Sequence, residues 1–236
     1  MRIFFENYEK LRYWLYQEEV YAQMVQDPFF AEYTTPFGVP PFDQIEVAHY
    51  KPALLKGMEE QSKEIEAIVN NPEEPTFENT ILAYDNAGQM LAQTELIFGM
   101  LCAAETNERM QALQEQVMPL LSAHRDKIRL DEKLFARVKD VYDRRASLGL
   151  DAEQSRLLRK TYDAFVRSGA LLDAGQKARL KEINGELSLT AVKFGNNILA
   201  ENNNFALELT ADDLEGLPSG VRDAAREKAQ AMGKGD

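Results

Sequence analysis

From Pro52 to about Glu201, apolar residues recur at steps of three and four, and prolines, asparagines and glycines interrupt them at intervals. That spacing places the apolar side chains of each run on one face of an α-helix, whose repeat is 3.6 residues. The first run carries Leu54, Met58, Ile65 and Ile68 over about 52–69. Pro52 suits its first turn, and Asn70, Asn71, Pro72 and Pro75 stop it. Thr76 is the expected N-cap of the next helix, 77–104, with Tyr84, Ala87, Leu91, Thr94, Phe98 and Leu101 inward. A third, 108–130, presents Met110, Leu113, Val117, Leu120, His124 and Ile128. Helices over 132–147 and 152–168 follow, separated by Gly149, the second opened by an Asp151/Gln154 capping box. Asp173 with Gln176 repeats that signature and starts a long helix to about 201, with Leu180, Ile183, Leu187, Ala191, Phe194 and Ile198 inward. Gly185 and Gly195 weaken that helix or mark a close helix crossing.

The ends of the chain are less regular. Phe4, Tyr8, Leu11 and Leu15 predict an amphipathic helix over 1–25 that packs against the domain after it. Residues 27–41 form a proline-punctuated loop, with Phe29, Phe30 and Phe37 expected to pin it to the body, and a short helical turn is expected over 42–50. Asn202 to Asn204 end the long helix, and 205–210 (FALELT) alternates as a strand would. Two short helical pieces, 212–217 and 219–232, close the chain. The expected fold is therefore all-α: a multi-helix, antiparallel bundle-like domain of long amphipathic helices, with at most one short strand near 205–210. Its organisation is an N-terminal extension over 1–26 and a helical domain over 27–236.

Charge narrows the partners. With 39 acidic against 27 basic residues the net charge is −12, which repels phosphate backbones, so no nucleic-acid partner is expected. The short basic run Arg156 to Lys160 (RLLRK) alternates with apolar positions and reads as a solvated helix face. No window approaches the ~18 apolar residues of a membrane span, and no secretory signal opens the chain. The one cysteine, Cys102, sits in the apolar run IFGMLCAA and reads as a small buried hydrophobe; a lone thiol fits a reducing compartment, and the lack of a signal points to the cytoplasm.

No constellation of reacting groups stands out. His49 and His124 have no neighbouring Glu and no second histidine four residues on, so H-E-x-x-H is absent. His124 falls on a packed stripe and reads as a hydrogen-bonded core or seam histidine. The acidic pairs Glu59/Glu60 and Asp212/Asp213 read as solvated faces, and Tyr33, Tyr50 and Tyr84 as core-edge packing rather than a groove. No catalytic, cofactor-binding or metal residue is assigned.

A series of phrases carries more. DPFF, PFDQIEVAHYKPALLKGM and PTFENTILA, then LFARVKDVYDRRASLGLDAEQSRLLRKTYDAFVRSGA, LKEINGELSLTAVKFGNNILAENNNFALELT and DLEGLPSGVRDAAREKA, resemble in order the start of the bacterial peptidyl-dipeptidases. These belong to the thimet-oligopeptidase-like family of zinc metallopeptidases, and the likeness runs from about Asp27 to the C-terminus. The resemblance implies a helical channel wall in an enzyme that releases dipeptides from the C-terminus of short peptides. In that family zinc is held by H-E-x-x-H and a downstream Glu in a C-terminal part. The expectation is thus an N-terminal region inactive alone, with no cofactor in this chain and the C-terminal catalytic region as its missing partner. Its apolar lining would then be exposed and drive self-association. The alternative is a stand-alone helical peptide-binding module without hydrolysis.

Overall fold

The structure is a computed structural model that describes residues 27–234. The helix expected over 1–25 and the boundary at 26 lie outside the described residues. The helices are α1 (Val47–Val69), α2 (a π-helical turn, Phe77–Leu82, continued by Ala83–Asn86), α3 (Gln89–Ala104), α4 (Glu108–Arg129), α5 (Glu132–Asp143), α6 (Ala152–Arg167), α7 (Ala174–Asn204) and α8 (Ser219–Ala231). No strand occurs among the described residues. The chain divides after Phe194 into two compact units, inside the stretch that reads as one domain in the sequence.

The starts of the helices are set locally. Thr76 Oγ1 accepts from the Asn79 N–H (3.1 Å) while Asn79 Oδ1 accepts from the Thr76 N–H (2.8 Å), a reciprocal cap. Asn107, Asp131 and Asp151 cap α4, α5 and α6 by accepting from the N–H three residues on, and only the Asp151 cap is reciprocal, through Gln154. The turn between α1 and α2 is pinned from a distance: Arg137 Nη1 on α5 donates to the carbonyls of Asn71 (2.9 Å) and Glu73 (3.2 Å).

Two hydrophobic cores fill the first unit. One gathers Phe77 and Ile81 of α2, Leu134, Val138 and Val141 of α5, and Leu158 and Phe165 of α6. The other gathers Phe29, Tyr50 and Leu54 with Leu91 and Phe98 of α3 and Val117 and Leu121 of α4. α1 and α4 run through both: Leu54 and Leu121 lie in the second core, Ile65 and Ile128 in the first. α1 meets α3 closely enough that a Cβ on Gly57 would stand 2.9 Å from Leu91 Cα.

Several expectations are corrected. α1 starts before Pro52, at Val47, where the Glu46 N–H donates to His49 Nδ1 (2.9 Å); Pro52 then sits inside the helix. The helix expected over 77–104 is broken at Ala87 and Gly88. Gly88 takes a left-handed φ of 81°, its N–H donates to Glu64 Oε2 (2.6 Å), and Gln61 Nε2 donates to the Ala87 carbonyl (3.4 Å). In α4 it is Leu121, not Leu120, that turns inward. Phe37, fully exposed at a φ of 62°, pins nothing, whereas Phe29 is buried. Residues 205–210 form no strand among the described residues, so the one strand allowed there is absent. A Cβ at Gly185 or Gly195 would meet nothing within 4 Å, so no close crossing occurs there. The largest departure concerns α7: of the stripe expected inward, Ile183, Leu187, Phe194 and Ile198 are all exposed, and only Lys177 and Val192 of the helix are buried.

Candidate functional site

The sequence candidates are dispersed, each held by a structural task. His49 Nδ1 accepts a backbone N–H at the start of α1, which leaves the ring proton of the neutral form on Nε2. His124 Nε2 stands 2.8 Å from Gln61 Oε1 and donates to it, while Gln61 also reaches Ala87. The pair lies between the two cores, since Gln61 falls between Leu54 and Ile65 and His124 between Leu121 and Ile128. His124 is thus the seam histidine that its spacing implies.

Burial, and secondarily the nearby Lys127 charge, hold the His124 pKa below its ordinary 6.5; Arg125 acts in the same direction and Glu95 against it. A neutral ring in the fold and a protonatable one in the unfolded chain make the unfolded state the stronger proton binder. Stability from this site is therefore present above about pH 6.5 and lost as pH falls below it. Urea unfolding of the native chain and of H124Q, whose amide keeps a donor for Gln61, is expected to give a difference that shrinks from about pH 7.5 to pH 5. A pH-independent difference would remove His124 from the account.

The remaining candidates divide between packing and surface. Tyr50 is buried between Phe29 and Phe98, with ring centroids at 5.3 and 5.1 Å, and its hydroxyl is pushed up to about 12, first by burial. Tyr84 packs on Phe165 at 5.3 Å in the other core, so the two tyrosines do not share a groove. Tyr33 is half-buried, its hydroxyl raised by burial and by Asp27. Burial pushes the half-buried Cys102 thiol up to about 11, which leaves almost no nucleophilic thiolate at neutral pH. Glu59 and Glu60 interleave with Lys56 and Lys63 in four ion pairs along one exposed face of α1. Asp213 Oδ2 accepts from the Thr210 N–H (2.8 Å) and hydroxyl (2.7 Å), and these bonds hold its carboxyl low.

Two clefts flank α4. One, about 390 Å³, lies between α4 (Met118, Ser122) and α7 (Leu187, Ala191, Val192). Ser122 Oγ donates to the Asn184 carbonyl (3.3 Å) and Asn184 Nδ2 donates to Asp126 Oδ1 (2.8 Å), which fixes α7 on α4 beside it. The other, about 830 Å³, lies between α4, α6 and the early part of α7 and is rich in arginine. Its cations come from helices far apart in sequence, and the only clue in the sequence is RLLRK.

A hydrolytic zinc site needs three His, Cys or carboxylate ligands converging on one point. Among the described residues no group of three or more such side chains could hold a metal ion, and each histidine ring already commits one nitrogen to a helix contact. The described residues therefore do not fit the zinc site that the resemblance implies. None of the described helices is long and apolar enough to cross a membrane.

What these residues build is an all-helical scaffold with clefts on its flank. No protein-family model matches the chain. Over 176 residues it is 42% identical to the dipeptidyl carboxypeptidase of Escherichia coli (strain K12), a match covering 75% of this chain and 26% of that protein. It is 38% identical over 213 residues to the dipeptidyl carboxypeptidase of Salmonella typhimurium, covering 89% and 31% respectively. A more distant likeness, 25% over 198 residues, joins it to the oligopeptidase A of Escherichia coli, covering 84% of this chain and 29% of that protein. Over the matched region the chain belongs to the thimet-oligopeptidase-like peptidyl-dipeptidase family. It spans between about a quarter and a third of the length of these relatives.

Proposed function

We propose that the chain is the N-terminal, channel-wall region of a zinc peptidyl-dipeptidase that acts on short peptides, and that it does not hydrolyse peptides by itself. The observation that carries this reading is the uncovered apolar face of α7. Leu187 is 61% and Phe194 66% exposed, two helical turns apart on α7. A monomeric soluble protein seldom leaves such a stripe open, whereas a region of a larger body does so where the rest of that body packs. Relatives about three times as long supply a body of that size. The lack of converging metal ligands among the described residues supports inactivity of the chain alone. A single cysteine suits a reducing compartment, which favours the cytoplasm.

The test is an assay for dipeptide release from an N-terminally blocked peptide with a free C-terminus, using purified chain with and without zinc, and with a chelator. No release in any arm is expected. Chelator-sensitive release would overturn the reading and make His49 and His124 the first residues to replace. Tight binding of the same peptide without hydrolysis would favour a stand-alone peptide-binding module.

A further inference from the structure

The arginine-rich cleft carries a second, independent inference: we propose that it binds the phosphate chain of a small phosphorylated molecule. Its wall is built from three helices, with Arg125 and Arg129 on α4, Arg159, Lys160 and Arg167 on α6, and Leu180 and Asn184 on α7. Two of the polar groups there are already answered. Arg125 Nη2 binds both carboxylate oxygens of Glu95 (3.0 and 3.1 Å), and Asp126 takes the Asn184 amide. The other four cations, Arg129, Arg159, Lys160 and Arg167, make no ion pair among the described residues. Even Asp163, four residues from both Arg159 and Arg167 on α6 and itself in the cleft wall, pairs with neither. In a chain of net charge −12, four unanswered cations around one cleft of 830 Å³ are a local reversal of sign.

Arg129 gives the cleft its focus. Its guanidinium carbon lies 5.7 Å from the centroid of Tyr84 and 5.4 Å from that of Phe165, so the aromatic rings hold the plane in place. Its Nη1 is buried and meets no hydrogen-bond acceptor. A buried donor on a charged group without an acceptor is costly, and Arg129 lines the cleft, so an oxyanion there answers its charge. The helix dipole accounts for cations in the last turns of α4 and α6, where Arg129 and Arg167 stand. It does not account for Arg159 and Lys160, which lie two turns further back on α6.

The ligand follows from charge density. Guanidinium forks match phosphate oxygens in pairs, and a phosphate chain brings several negative charges within a length that one cleft can span. A single carboxylate answers only one of the four cations. A long polyanion such as nucleic acid would meet the repulsion of the surrounding −12 chain.

The experiment is calorimetric titration of the chain with inorganic tripolyphosphate in low-salt buffer, alongside citrate and a single-stranded oligonucleotide. Saturable one-to-one binding of tripolyphosphate is expected, with citrate at least about tenfold weaker. In R159A/K160A the affinity should fall about tenfold or more, with no change in the thermal unfolding of the free protein because both side chains are exposed. R129K, which keeps the charge and loses the fork, should weaken binding as well. K63A, on the exposed face of α1, should bind like the native chain. Absence of saturable binding, citrate binding as tightly, an oligonucleotide binding more tightly, or equal losses in K63A would each overturn the proposal.

Discussion

Replacing Phe165 by alanine is expected to cost about 3–5 kcal/mol of folding stability. The ring is fully buried on the inward face of α6. It packs on Tyr84 at 5.3 Å and Phe135 at 5.9 Å, and Arg129 lies over it at 5.4 Å. Truncation leaves a cavity bounded by α2, α5 and α6, and helices packed on each other cannot fully collapse into it. It also removes one of the two rings that hold Arg129. Urea unfolding followed by circular dichroism measures the effect. A loss below about 1 kcal/mol would mean that the three helices do not converge on this residue.

The second large effect concerns association. At rising concentration the purified chain is expected to show a mass in light scattering well above its own 26.8 kDa. L187K/F194K should remain at that mass, because charges at two exposed positions of one face make a second copy unwelcome there. Neither side chain is in a core, so the substitutions should leave the unfolding transition in place. A native chain that stays monomeric at high concentration would remove the support that this face gives to the channel-wall reading.

The helices themselves were legible because their causes are local. Thr76, Asp151 and Asp173 cap through residues three positions on, and the buried positions Leu134, Phe135, Val138 and Val141 of α5 and Leu158 and Phe165 of α6 recur at helical spacing. What escaped was decided from outside the segment. The break at Gly88 depends on Gln61 and Glu64, which lie on another helix. The choice of Leu121 over Leu120 is one between adjacent apolar residues, which only the packing of α4 on its neighbours can make. Periodicity correctly gave α7 an apolar face, but nothing in the sequence of a helix says whether that face is covered. The site followed the same division. His124 was legible as a seam residue from its stripe, though its partner Gln61 was not. The basic cleft was invisible because Arg129 and Arg167 are joined only by the docking of α4 on α6; RLLRK taken alone has the pattern of a solvated face.

The unpaired stretch over 205–210 has a consequence of another kind. Phe205 is 68% and Leu207 72% exposed in backbone that belongs to no helix or strand, and exposed stretches of that kind are where proteases cut first. A chain from a family of peptide-cutting enzymes thus carries, in its smaller unit, an exposed stretch of its own backbone open to cutting. As long as that stretch stays uncovered, the lifetime of the chain among other proteases is set by these few residues rather than by the stability of its two cores.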